Sequence, residues 1–300
     1  MDSVTAQEIA RLKNKRGAVI LAHNYQVGEV QDIADFVGDS LELSRKAAGT
    51  EAEVIVFCGV HFMAETAAML SPDKTVLLPD IAAGCPMANM ITAAELRSWK
   101  KAYRGLPVVC YINTSAAVKA ECDVCCTSSN ALKVVESVEG DRILFAPDRN
   151  LAAYVARQSK KTIIPWDGYC HVHNNIHLRH IKEQKELHPK AEVWVHPECR
   201  PEVIDAADRV LSTGHMIREA ARPDLREVII GTEEGIIHRL KKINPKADFI
   251  PCKKGAVCLN MKKITPDKVL AALKEMKYKV KVPRRTAERA RGAIEKMIAL

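Results

Sequence analysis

The stretch 168-GYCHVH-173 places Cys170, His171 and His173 within four positions. Thiolate and imidazole that close suggest a metal, since zinc takes both and iron–sulfur clusters take thiolates. Nothing nearby completes such a site. No second cysteine lies within four residues, and the next histidine is His177. Any remaining ligands must come from distant parts of the chain. The sequence holds 10 cysteines, and MDSVTAQEIARLKNKRG at the start carries an early acid and no apolar core of a secretory signal. A cytoplasmic, reducing setting is therefore expected, with cysteines as buried apolar groups, metal ligands or reactive thiols rather than a disulfide framework.

The elements that would position Cys170 follow from an internal repeat. Short β-branched runs alternate with helical patterns, which argues for parallel sheets built from βα units. The first third carries 18-AVILAHNY-25, 33-IADFVGDS-40, 54-VIVFCGV-60 and 74-KTVLLPDIAAGC-85. The second carries 107-PVVCYINTS-115, 122-CDVCCTSS-129, 142-RILFAPDRN-150 and 160-KKTIIPWDGYC-170, and the third 192-EVWVHPEC-199, 207-ADRVLSTG-214, 227-EVIIGTEEG-235 and 246-KADFIPCKKGAVC-258. Each fourth run has a proline (Pro79, Pro165, Pro251), then a loop, then a cysteine. Cys85 and Cys170 are 85 residues apart, Cys170 and Cys258 88. The expected fold is α/β: three homologous αβα units, each with a four-stranded parallel sheet, around a pseudo-threefold axis. The first unit would span 1–88 with terminal helices from 264–300, the second 89–173 and the third 174–263.

Open parallel sheets gather functional groups beyond the carboxyl ends of their strands, and every aligned feature lies at such an end. Cys85, Cys170 and Cys258 would then converge. Three thiolates without a fourth suit zinc with an open position, or a [4Fe–4S] cluster with one iron free of protein; three equivalent loops favour the cluster. The free iron could bind a substrate oxygen as a Lewis acid. His23, Asn24 and Tyr25, Tyr111 and Asn113, and His196 and Glu198 end the first strand of each unit. Ser40, Ser128, Ser212 and Thr213 end the second, where capping residues and helix N-termini suit carboxylates or phosphate. Cys122, Cys125 and Cys126 form a C-x-x-C-C run; Cys125 and Cys126 align with a buried strand and are expected to pack in the core, while Cys122 is left without a role, and Cys58, Cys110 and Cys199, in or just after strands, read as core residues or as neighbours of the site. Cys252 has no counterpart in the other units. The net charge of +8 lies entirely in 262–296, with 12 basic and 4 acidic residues. With 5% aromatic residues and no nucleic-acid motif, that tail reads as a solvated or internally packed surface; no run suits a membrane span.

The pieces 21-LAHNYQ-26, 34-ADFVGDS-40, 84-GCPMANM-90, 147-PDRNLA-152, 196-HPEC-199, 212-STG-214 and 259-LNMKK-263 resemble the quinolinate synthase family. The resemblance implies a triplicated α/β protein with one [4Fe–4S] cluster per chain on Cys85, Cys170 and Cys258. It implies condensation of iminoaspartate with dihydroxyacetone phosphate to quinolinate, phosphate and water in de novo NAD biosynthesis, with the enzyme that supplies iminoaspartate as a partner. His23, Ser40, Tyr111, Asn113, Ser128, His196, Glu198, Ser212 and Thr213 would bind substrate, and Tyr25, Glu198 and His173 would act as catalytic groups. From the residues alone, a [4Fe–4S] hydro-lyase acting on a small hydroxy acid and a cluster- or thiol-based redox sensor are the alternatives.

Overall fold

In the computed structural model, which describes residues 3–300, the twelve β-branched runs form twelve strands. Met1 and Asp2, at the start of the stretch read above for a leader, lie outside the described residues. The strands are β1 (Ala18–His23), β2 (Phe36–Gly38), β3 (Val54–Cys58), β4 (Thr75–Leu77), β5 (Val108–Tyr111), β6 (Val124–Cys126), β7 (Arg142–Ala146), β8 (Thr162–Pro165), β9 (Glu192–Val195), β10 (Arg209–Val210), β11 (Glu227–Gly231) and β12 (Asp248–Pro251). They make three sheets with orders β2-β1-β3-β4, β6-β5-β7-β8 and β10-β9-β11-β12, and every pairing is parallel. The expected fold class is therefore observed.

The central strands read as unbroken apolar runs because helices cover both faces of a parallel sheet. All five residues of β3 are buried, as are Val108–Tyr111 of β5 and Val193, Trp194 and Val195 of β9. In each sheet the chain leaves the first strand toward one edge and returns past it to the third. The gap beyond the carboxyl ends of these two strands is a topological switch point, where ligands bind in such folds.

Two helices follow the third unit. Pro266–Glu275 packs against the N-terminal helix Ser3–Lys15 and β3, with the Arg16 guanidinium on the Leu273 and Lys274 carbonyls. Arg284–Ala299 reaches further than the first unit, to which the sequence reading assigned it. It packs on β6 and the helix Ala116–Lys119 as well as on His61–Leu70, and Asn130 Nδ2 donates to Met297 O (3.0 Å). The buried face of this helix includes Ala290 and Ala293, small side chains that let it lie close to both neighbours. Several basic residues of the tail are engaged within the chain: Arg289 pairs with Glu121, Arg291 donates to Met69 O, and Lys268 meets Asp80 at 2.6 Å. Among the described residues no helix is long and apolar enough to cross a membrane.

Candidate active site

One cavity is lined from all three sheets. His23 and Tyr25 come from the end of β1, Tyr111 and Asn113 from β5, and His196 and Glu198 from β9. Ser40, Ser128 and Thr213 come from the second-strand ends. Cys85, Cys170 and Cys258 enter on the loops after the fourth strands, with His171 and His173 beside Cys170. Of the site residues expected from sequence, only Ser212 does not line the cavity. Its hydroxyl caps its own helix at His215 N (3.3 Å) and lies 2.9 Å from Ser129 Oγ.

Glu198 is the electrostatic centre. It is 3% exposed, with Oε2 lying 2.8 Å from His173 Nδ1 and 3.2 Å from His196 Nδ1. Burial pushes its carboxyl up, but the two imidazoles outweigh burial and hold it well below the ordinary carboxylate range. The imidazoles stack at 4.5 Å between centroids. On its other side His173 Nε2 meets Thr232 Oγ1 (2.7 Å), which meets Tyr25 Oη (2.6 Å). Burial, then the Glu198 charge, raises the Tyr25 and Tyr111 phenols well above their ordinary value, so both stay protonated. Burial lowers His23 to about 4. Its Nδ1 accepts Tyr25 N (3.1 Å), which leaves the proton of the neutral ring on Nε2. Glu198 Oε1, Asn113 Oδ1 and His173 Nδ1 are buried without an aligned hydrogen-bond partner, His173 Nδ1 meeting Glu198 as an ion pair alone. Buried polar atoms are normally satisfied, so three such atoms lining one cavity mark a place built for a polar ligand.

The cysteines divide cleanly. Cys85, Cys170 and Cys258 are partly exposed, whereas the other free cysteines among the described residues (Cys58, Cys125, Cys126, Cys199, Cys252) are buried. Cys125 and Cys126 sit on β6 and are fully buried, as core packing requires. Cys110 and Cys122 depart from the expectation of free thiols: they are joined in a disulfide. Hydrogen bonds between Asp123 and Val108 draw the turn before β6 against β5 and bring the pair together, with 6.1 Å between their Cα atoms. Among the described residues no fourth thiol lines the cavity. This donor set fits a [4Fe–4S] cluster held at three corners. Ligand atoms of Cys170, His173 and Glu198 also lie within 4.8 Å of one another, so acid–base groups adjoin one cysteine. The stretch at 168–173 opens on glycine for a steric reason: a Cβ at Gly168 would lie 2.5 Å from Pro147 O.

Several residues escaped the sequence reading. Asp39 lines the cavity, caps the helix Ser40–Gly49 and accepts from Ser129 Oγ. Thr232 and Glu233 follow β11, and Asp148 follows β7; an acid just after the third strand in two of three units was the available signal. Asn24 ends β1 as expected, and its side chain links two units. Arg239 holds its Oδ1 (2.7 Å) while its Nδ2 donates to Thr213 Oγ1 (3.1 Å).

Lys119 was also missed. Its side chain is fully buried, 5.2 Å from the ring centroid of Phe62 in the cavity wall, and its ammonium donates to Thr114 O beneath the loop that carries Asn113. Burial lowers its pKa to about 8, from 10.5. Between those values the unfolded chain binds the extra proton, so stability rises with pH there. The charge penalty is complete below pH 8 and is relieved toward 10.5, amounting to about 3 kcal/mol. Lys119→Met should therefore gain stability relative to wild type at pH 7 and lose that advantage by pH 10. Urea denaturation at the two pH values checks this; a pH-independent difference would exclude it.

Comparison with known proteins agrees with this geometry. The family model for quinolinate synthetase A protein matches residues 7–299. A quinolinate synthase of Dehalococcoides mccartyi is 59% identical over 293 residues, covering 98% of this chain and 97% of that protein. Quinolinate synthase 2 of Methanosarcina acetivorans is 52% identical over 299 residues, covering 100% and 96%. The quinolinate synthase of Pyrococcus abyssi is 50% identical over 296 residues, covering 98% of each.

Proposed function

The chain belongs to the quinolinate synthetase A family and is an enzyme, and from that premise we propose that it condenses iminoaspartate with dihydroxyacetone phosphate. The products are quinolinate, phosphate and two waters, which balances all atoms and needs no oxidant. The observation that carries this reading is the meeting of Cys85, Cys170 and Cys258 in one cavity whose other groups suit a dicarboxylate. A [4Fe–4S] cluster on these cysteines would supply a Lewis-acidic iron, free of a fourth protein ligand, to polarise an oxygen that departs as water.

The remaining work falls to side chains. His23 offers an Nε2 proton to a carboxylate. Ser40 and Thr213 open the helices Ser40–Gly49 and Thr213–Ala220 and line the cavity with their hydroxyl-bearing side chains. Tyr111, Asn113, Ser128 and His196 complete the binding groups, and Ser128, which lines the cavity where Ser212 does not, would hold phosphate before it leaves. Glu198 takes a proton from carbon at Oε1, its only oxygen not engaged by histidine. Tyr25 gives a proton at Oη to a departing oxygen and is refilled through Thr232 by His173, which releases a proton at Nε2 as it takes one at Nδ1 from Glu198. Iminoaspartate hydrolyses readily in water, which makes the enzyme that supplies it the natural partner, in the cytoplasm.

An anaerobic assay with both substrates tests this reading. One phosphate should appear per quinolinate, and no turnover should occur without dihydroxyacetone phosphate. Dehydration of a small hydroxy acid in its absence would assign the site to a hydro-lyase instead.

A further inference from the structure

All three cysteine loops are tied to the end of their own third strand in the same way. A backbone amide just beyond that strand donates to the carbonyl two residues before the cysteine: His61 N to Ala83 O (2.7 Å), Arg149 N to Gly168 O (2.9 Å) and Glu234 N to Ala256 O (3.0 Å). The residue preceding the donor is where the units part. It is Val60 in the first, Asp148 in the second and Glu233 in the third.

The two acids are fully buried and used alike. Asp148 Oδ2 accepts Cys170 N (3.0 Å) while Oδ1 accepts Leu151 N (2.7 Å). Glu233 Oε1 accepts Cys258 N (3.0 Å) while Oε2 accepts Gly235 N (2.8 Å), with Lys262 Nζ 2.9 Å from Oε1. Each carboxylate thus bridges the strand-end turn to the amide of a cysteine, using both oxygens as acceptors. An amide side chain has only one acceptor and would turn its NH₂ against one of the two N–H groups. Val60 offers no acceptor. The first loop is held from the surface, by Lys263 on Ala82 O (2.8 Å) and Lys268 on Asp80 Oδ2 (2.6 Å).

We propose that Asp148 and Glu233 are positioning residues that aim Cys170 and Cys258 at a shared cluster, a carboxylate clamp that the Cys85 loop lacks. The inference rests on the cluster assigned under the proposed function and adds residues outside its ligand set. A cysteine whose backbone amide is fixed keeps its sulfur within reach when a bond to iron breaks, so the clamp slows loss of metal. Outer groups that orient metal ligands commonly contribute 10- to 100-fold in metal retention.

Wild type, Asp148→Asn and Glu233→Gln, purified and reconstituted anaerobically, would be challenged with an iron chelator while visible absorption is followed. Bleaching should be about 10- to 100-fold faster in each amide variant. Asp148→Glu and Glu233→Asp, which keep two acceptor oxygens, should recover part of the difference. Circular dichroism melting confirms that the compared proteins are folded. Bleaching at the wild-type rate in both amide variants would overturn the clamp, as would carboxylate variants no better than amides. Iron and sulfide analysis of the wild type is read first: absence of sulfide removes the cluster itself, and the inference with it.

Discussion

Glu198→Gln is expected to lower kcat for quinolinate formation by about 10³-fold, within the range of lost general acid–base catalysis. Gln keeps the size of the side chain but neither its charge nor its second acceptor oxygen. In the native cavity Oε1 is unpartnered and Oε2 sits between His173 and His196. Whichever way the amide turns, either the free base is gone or an NH₂ faces the imidazoles. The same substitution removes the charge that orders the stacked histidines, so the relay toward Thr232 and Tyr25 loses its anchor. Because the native carboxyl lies well below its usual range and His23 titrates at about 4, neither should limit the rate near neutral pH. Steady-state kinetics with melting curves for both proteins decide the matter. A variant within tenfold of wild type would remove Glu198 from catalysis.

Cys170→Ser should reduce about four irons and four sulfides per chain to a trace and abolish turnover. Serine is isosteric, but its hydroxyl does not ionise near neutral pH and replaces a soft thiolate poorly. Cys85 and Cys258 would be left as two of the three corners, on loops with no further free thiol among the lining residues. Cys126→Ser is the matched control: Cys126 lies within β6, fully buried and outside the cavity lining, so its variant should keep the cluster. Iron, sulfide and zinc analysis of anaerobically purified proteins provides the measurement. Stoichiometric zinc without sulfide in the wild type would sink the cluster.

Much of this was readable without coordinates because the chain repeats. The register of Pro79, Pro165 and Pro251 with Cys85, Cys170 and Cys258 implied three equivalent strand ends, and each first-strand terminus displayed its polar residues beside an apolar run. His23, Tyr111 and Glu198 could be found because a strand end delivers a side chain to a predictable edge. Asp148 and Glu233 were harder. They stand in line with Val60, so the repeat concealed them by breaking at that position. The Cys110–Cys122 disulfide was missed because a reducing setting argued against disulfides, and because the partner of Cys122 lies on the neighbouring strand β5.

What this sequence determined by itself was the local and the periodic: strand against helix, three sheets from one repeated pattern, and the cysteines and polar strand ends that share an edge. These depend on side-chain type and spacing, which are written along the chain. What only the tertiary structure decided was pairing between units. Glu198 of the third unit lies against His173 of the second; Tyr25 of the first meets Thr232 of the third; Arg239 fixes Asn24 and, through it, Thr213. The helix Arg284–Ala299 packs on elements beside two of the three sheets. Such contacts follow from how three packed bodies face one another, and no residue spacing within a single unit encodes that orientation. The 168–173 loop contains one cysteine of a site whose other two come from loops far away in sequence, and only packing brings them together.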